Sequence, residues 1–130
     1  MFIDRQLDVF EQSGIFVVRF RRHHFLVDEW VIRSIGDELK EVAARPECRK
    51  VVVDFTGVED LSSFMVGQLV MLRKRMAAKK GQVVLCGLSA EVQEFFDETI
   101  LSELFDIQAD EVDALASLGA RQTAPLNPEA

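Results

Sequence analysis

The chain has 130 residues, 48% of them hydrophobic, a length and composition suited to one domain with a buried core. A formal net charge of −7 and a pI near 4.8 exclude the basic excess of a nucleic-acid surface and favour basic patches on partner proteins. No run of about 18 uninterrupted apolar residues exists to span a membrane, and the acid-containing start MFIDRQLDVF does not have the form of a signal peptide.

In chain order, Leu7 to Gln12 is apolar at alternate positions Leu7 and Val9 with Phe10 following, Ser13-Gly14 punctuates, and Ile15 to Phe20 is β-branched and aromatic. That pattern predicts an N-terminal β-hairpin. Arg21 to Leu26 is a connector in a basic cluster of Arg19, Arg21, Arg22, His23 and His24. From Val27 the period changes: Val27, Val31, Ile35, Leu39 and Val42 form one stripe with Trp30 beside it, predicting a helix to about Ala44. Asp28 is placed to cap its start, and Pro46 prevents its continuation.

The runs Val51-Val52-Val53 and Gln82 to Gly87 (QVVLCG) are apolar on both faces, as strands covered on both sides require. Between them Met65, Leu69, Leu72 and Met76 mark the inward face of a helix, widened by Val66 and Val70. Arg73, Lys74, Arg75, Lys79 and Lys80 complement the negative end of its dipole, and Gly81 ends it. Gly67, inside that helix, is expected to permit close packing. Ser89 is placed to cap a helix over Ala90 to Phe96, with Phe95 and Phe96 facing inward. Ile100 to Phe105 reads as a compact apolar turn and Phe105 to Gln108 as a short strand. Asp110 is placed to cap a last helix whose apolar positions are Val112, Leu115 and Leu118. The Pro-containing, aperiodic residues 119–130 are expected to form a disordered tail after a single domain over 1–118.

The chemistry offers little to an enzyme. Cys48 and Cys86 lack metal-ligand spacing and read as reduced thiols in a cytoplasmic protein. His23 and His24 alternate direction if extended, so they make no joint metal site, and no cofactor is called for. There is no Gly-x-Ser-x-Gly elbow and no Gly-rich phosphate loop, and Glu59 and Asp60 read as solvated turn charges. No base stands beside a nucleophile. Ser62 and Ser63 remain, between a strand C-terminus and a helix N-terminus, where free amides tolerate an anion. One reading makes one of them a helix cap. Asp60 is an alternative cap that leaves both serines in the first turn. The other reading makes the pair a phosphorylation site under a docked partner.

From about Leu7 to Leu118 the chain resembles the STAS domain of bacterial anti-sigma-factor antagonists. The resemblance is carried by VVVDFTGV, then the serine pair, then GQVVLCGLS followed by a helix and LFDI. It implies an α/β fold, a mixed sheet of about five strands with about four helices packed against it. It also implies binding to an anti-sigma factor or kinase-like regulatory protein that phosphorylates a serine or threonine at the helix start after the central strand. Carried over residue by residue, the partner-binding candidates are Asp60, Leu61, Ser62, Ser63, Phe64, Met65 and Gly67, with Ser63 and Ser62 the phosphorylation candidates. The family pattern Asp-Ser-Ser-Gly or Asp-Ser-Thr-Gly is replaced here by Leu61-Ser62-Ser63-Phe64. Matching the serine pairs makes Ser63 the acceptor. An ungapped match through VVVDFTGV and Gly67 puts Phe64 in that column. The family's Gly-acid-apolar-Asp connector is replaced by Arg21-Arg22-His23-His24-Phe25, so Arg21, Arg22, His23 and His24 are secondary interface candidates. Two other classes remain beside partner switching: a constitutive scaffold using Phe64 and Met65, and a nucleotide-binding module using Arg21, Arg22 and the helix N-terminus.

Overall fold

The computed structural model describes residues 5–23 and 28–119. His24, Val27 and the expected tail beyond Gly119 lie outside the described residues. The elements are β1 (Leu7–Gln12), β2 (Ile15–Phe20), α1 (Glu29–Ala44), β3 (Lys50–Asp54), α2 (Ser63–Ala78), β4 (Gln82–Cys86), α3 (Ala90–Asp97), α4 (Leu101–Leu104), β5 (Asp106–Gln108) and α5 (Glu111–Ser117). The expected architecture is present, with one addition: the apolar turn from Ile100 contains the single helical turn α4, making five helices among the described residues.

The strands form one sheet in the order β1-β2-β3-β4-β5. β1 and β2 are antiparallel, joined at Ser13 and Gly14, whose φ values of 55° and 80° are those a two-residue type I′ turn requires. All later pairs are parallel, so the C-terminal ends of β2 to β5 gather along one edge. The starts of α1, α2, α3 and α5 each follow one of those ends.

Strand residues alternate between two unequal cores. Phe16, Val18, Phe20, Val51, Val53, Phe55 and Leu85 pack toward α1, α2 and α3. Ile15, Val17, Val52, Val84 and Cys86 pack toward Ala114, Leu115 and Leu118, in or just after α5. Met65, Leu69, Leu72 and Met76 are fully buried, as their spacing predicts. Each such side chain stabilises the fold by about 1.5–3 kcal/mol. The edge strand is tied to α1 by buried Glu38, whose carboxylate accepts from the Gln6 and Leu7 amides at 2.8 and 3.1 Å.

Trp30, the second residue of α1, lies beside its buried stripe as expected and is 76% exposed. Three sequence expectations change. Phe96 is buried but Phe95 is 41% exposed, because consecutive helical residues point about 100° apart. Val112 is 65% exposed, and Ala114 with Leu115 supplies the inward face of α5. The close helix approach is not at Gly67, where an added Cβ would meet nothing within 4 Å. It is at Gly36 of α1, whose missing side chain leaves room for Gln68 of α2.

Candidate functional site

The segment between β3 and α2 is shaped by the residue that ends the strand. Asp54 Oδ1 accepts from the Thr56 amide at 2.9 Å and the Thr56 hydroxyl at 2.6 Å, turning the chain off the sheet. Phe55 still donates its amide to the Cys86 carbonyl at 2.8 Å, and Phe55 and Val58 are buried. Gly87 lies under this turn with φ +70°; a Cβ there would sit 2.5 Å from both Asp54 Oδ1 and Thr56 Oγ1. At Gly57, φ +90°, a Cβ would sit 2.5 Å from His23 Nδ1. The connector after β2 therefore rests on the loop before α2, and His23 joins this edge.

Ser62 is the N-cap of α2. Its Oγ accepts from the Met65 amide at 3.1 Å, which decides the cap between the serines and Asp60. Ser63 is the first helical residue and is exposed, and its hydroxyl forms no hydrogen bond among the described residues. Phe64 is half-buried, with the Arg33 guanidinium 5.6 Å from its ring centroid. Gly67 and Met71 are exposed further along the same helix. Met65 is not part of this surface: it is fully buried, as the inward period of the helix demands. The candidate face is therefore Asp60 to Phe64 with Gly67.

The dipole of α2 is less answered than that of its neighbours. α1 begins with Asp28 and Glu29, α3 carries Glu91 in its first turn, α4 carries Glu103, and α5 begins with Asp110, Glu111 and Asp113. The first turn of α2 has no acid and its cap is a neutral serine. Its amides present the positive end of the helix to a surface where Ser63 sits.

Across the sheet, at the same edge, is an open cleft of about 510 Å³ lined by Arg19, Phe20, His23, Asp54, Thr56, Asp110, Glu111 and Val112. Arg19 makes two hydrogen bonds to Glu111, at 2.6 and 2.8 Å. Its guanidinium also lies 4.6 Å from the Phe10 ring. Burial pushes the Asp54 carboxyl up, but hydrogen bonds with Glu111 and from Thr56, together with nearby Arg19, outweigh burial and hold it below the usual carboxylate value. Beside it, burial and then the charges of Asp54, Glu111 and Asp110 push the Cys86 thiol up to about 12. Burial likewise raises Cys48, and both cysteines are free.

Sequence reasoning missed the Arg19–Glu111 pair, whose partners are 92 positions apart. The signal within reach was Asp54, a carboxylate closing an apolar run. Arg21 does not point into the cleft's chemistry: it pairs with Asp8 at 2.8 Å on the β1 side. Arg22 is exposed on the same connector. Among the described residues no group of three or more His, Cys, Asp or Glu is arranged to hold a metal, and no helix is long and apolar enough to cross a membrane.

The family model of the STAS domain matches residues 6–114, most of the chain. The chain belongs to the STAS-domain family. This STAS domain superimposes on an anti-sigma-factor antagonist (STAS) domain protein from Planctomyces limnophilus with a TM-score of 0.76 at 23% identity, covering 88% of this chain and 98% of that one. It is also similar to the phosphorylated form of the Bacillus cell-fate determinant SpoIIAA, with a TM-score of 0.66 at 15% identity, covering 86% and 98% of the two chains. A chain of the stressosome, described as a signal integration and transduction hub, aligns with a TM-score of 0.66 at 18% identity over 85% and 95%. At these identities the structures share the fold. No curated protein sequence matches this STAS domain significantly.

Proposed function

We propose that this STAS domain is a non-enzymatic regulator that acts in the cytoplasm as an anti-sigma-factor antagonist. In this reading it binds an anti-sigma factor or kinase-like protein through Asp60 to Phe64 and Gly67, and phosphorylation of Ser63 releases that partner. The observation that carries the reading is the start of α2. Ser63 is exposed and free of hydrogen bonds among the described residues, at a helix start whose cap and first turn hold no acid. Ser62 is the poorer acceptor, because its Oγ is committed to the Met65 amide. A phosphate adds between one and two negative charges. The helix tolerates it, and a partner packed over Phe64 must either desolvate it or let go.

The test is a pull-down with the kinase-like partner using wild type, Ser63→Ala and Ser63→Asp, with mass spectrometry after incubation with the kinase. Retention by Ser63→Ala, release by Ser63→Asp and phosphate on Ser63 are the expected results. Equal binding by all three removes the switch, and no binding removes the role.

A second reading, a constitutive scaffold, is favoured by Trp30, Phe64 and Met71, which add exposed or half-exposed apolar surface to the neighbouring helices α1 and α2. It predicts a stable complex in which neither serine gains phosphate. The nucleotide-binding reading fits less well. The 510 Å³ cleft carries Asp54, Asp110 and Glu111, and Arg19 on its wall is already held by Glu111.

A further inference from the structure

The charge of the chain is divided along its length. From Gly81 to Gly119 there is no lysine or arginine, while Glu91, Glu94, Asp97, Glu98, Glu103, Asp106, Asp110, Glu111 and Asp113 all fall there. Part of this acidic stretch is the outer side of α3, which lies beside the loop leading into α2. Between the two is a shallow cleft of about 130 Å³, lined by Glu59, Asp60, Leu61, Glu91, Val92 and Phe95. Ligand pockets usually run from roughly 300 Å³ upward, so this one has room for a side chain rather than a small molecule.

Its floor and rim differ. Val92 is buried and Leu61 half-buried. Phe95 is 41% exposed, its ring edge-on to buried Phe96 with centroids 6.1 Å apart. Glu59, Asp60 and Glu91 are exposed, and no cation pairs with any of them among the described residues. An apolar floor with an aromatic wall and three unanswered carboxylates is complemented by an apolar side chain flanked by lysine or arginine. Rim charges of this kind steer encounter and select partners, and the aromatic supplies the anchor.

We propose that the cleft between the β3–α2 loop and α3 docks a basic, amphipathic segment of the protein partner, one apolar side chain seated against Phe95 and Leu61 with its Lys or Arg neighbours facing Glu59, Asp60 and Glu91. The inference rests on the partner-binding reading of the adjacent α2 start and extends that face across Leu61 onto α3. The extension answers a question of size. A stable interface takes roughly 20–30 residues from each partner, and Asp60 to Gly67 is a segment of eight with Met65 buried.

The test is an NMR titration of the isotope-labelled full chain with a synthetic amphipathic peptide of alternating arginine and leucine pairs. Two control peptides replace arginine by glutamate and leucine by serine. The arginine–leucine peptide is expected to shift the amides of Glu59 to Leu61 and Ala90 to Phe95, more weakly as salt rises, while neither control does. Phe95→Ser and Glu59→Lys, both at exposed positions, should each weaken binding about tenfold. Glu59→Lys leaves the α3 packing untouched and keeps the test valid if Phe95→Ser unfolds. Shifts spread over α5, indifference to both substitutions, or no shifts at all would overturn the proposal. That failure leaves the Ser63 pull-down intact, and a failed Ser63 switch leaves the peptide map intact.

Discussion

Two helices begin at the same edge of the sheet, on opposite faces, and they treat their exposed amides in opposite ways. α5 answers its own dipole. Asp110 accepts from the Asp113 amide at 2.9 Å, and Glu111 is clamped by Arg19. α2 has a neutral cap, an exposed serine and no acid in its first turn. The face over α5 is thus electrostatically closed, with a buried thiol beneath it, and the face over α2 is left open. The difference teaches where an added anion has room to act: at α5 it meets carboxylates already in place, at α2 it meets free amides.

Breaking the closed side gives the largest effect. The Cys86 thiol keeps its proton in the fold up to about 12, against 9.0 for an ordinary thiol. Between these values the unfolded chain has lost the proton and the native one holds it. Stability is fully present below pH 9 and falls by about 1.4 kcal/mol per pH unit above it. Urea midpoints measured from pH 8 to 10.5 should fall steeply in wild type and less steeply in Cys86→Ala, where the buried Cys48 thiol, also raised, remains. On the acid side Asp54, held below 3.8, contributes stability above that value that is lost as pH drops through its folded pKa. Asp54→Asn should remove that part of the acid limb.

The next effect belongs to the open side. Ser62→Ala should cost about 1 kcal/mol by removing the cap of α2, read as a lowered urea midpoint with unchanged slope. Arg19→Gln should cost less, up to about 1 kcal/mol, because the clamp is half-exposed, and added salt should narrow the gap from wild type. The smallest effects separate the two helix starts. Ser63→Asp should stabilise by about 0.3–1 kcal/mol through the unanswered dipole of α2, whereas Ala116→Asp near the end of α5 should destabilise. Gly67→Ala should add up to about 1 kcal/mol, since the site is helical and unobstructed. If Gly67 lies under the partner, the same change weakens binding while it raises stability.

The order of elements was legible because Val51-Val52-Val53, Gln82 to Gly87 and the Met65-Leu69-Leu72-Met76 stripe carry their period in consecutive residues. Met65 carries a conflict that is visible in the residues themselves. Its spacing puts it inside the helix packing, the family face puts it outside, and its burial agrees with the spacing. What was illegible depends on how elements meet. Nothing local says that Arg19 and Glu111 pair, or that the helix crossing falls on Gly36 rather than Gly67. Short helices hid more: eight residues of α3 and seven of α5 give too few turns to decide by period whether Phe95 and Val112 face inward. The serine pair was singled out by its place, and the hydrogen bond from the Met65 amide assigns the helix cap to Ser62.

The second core has a consequence for how the protein is made. Ile15, Val17, Val52 and Val84 are all in place once β4 is synthesised, yet their cover, Ala114, Leu115 and Leu118, comes last. Its final fastening is Lys50 Nζ to the Leu118 carbonyl at 2.7 Å. A nascent chain ending before Asp110 would carry a nearly finished sheet with one bare apolar side, a surface that invites chaperones or other growing chains. Translation speed from Gly87 to Leu118 therefore sets how long that side stays uncovered.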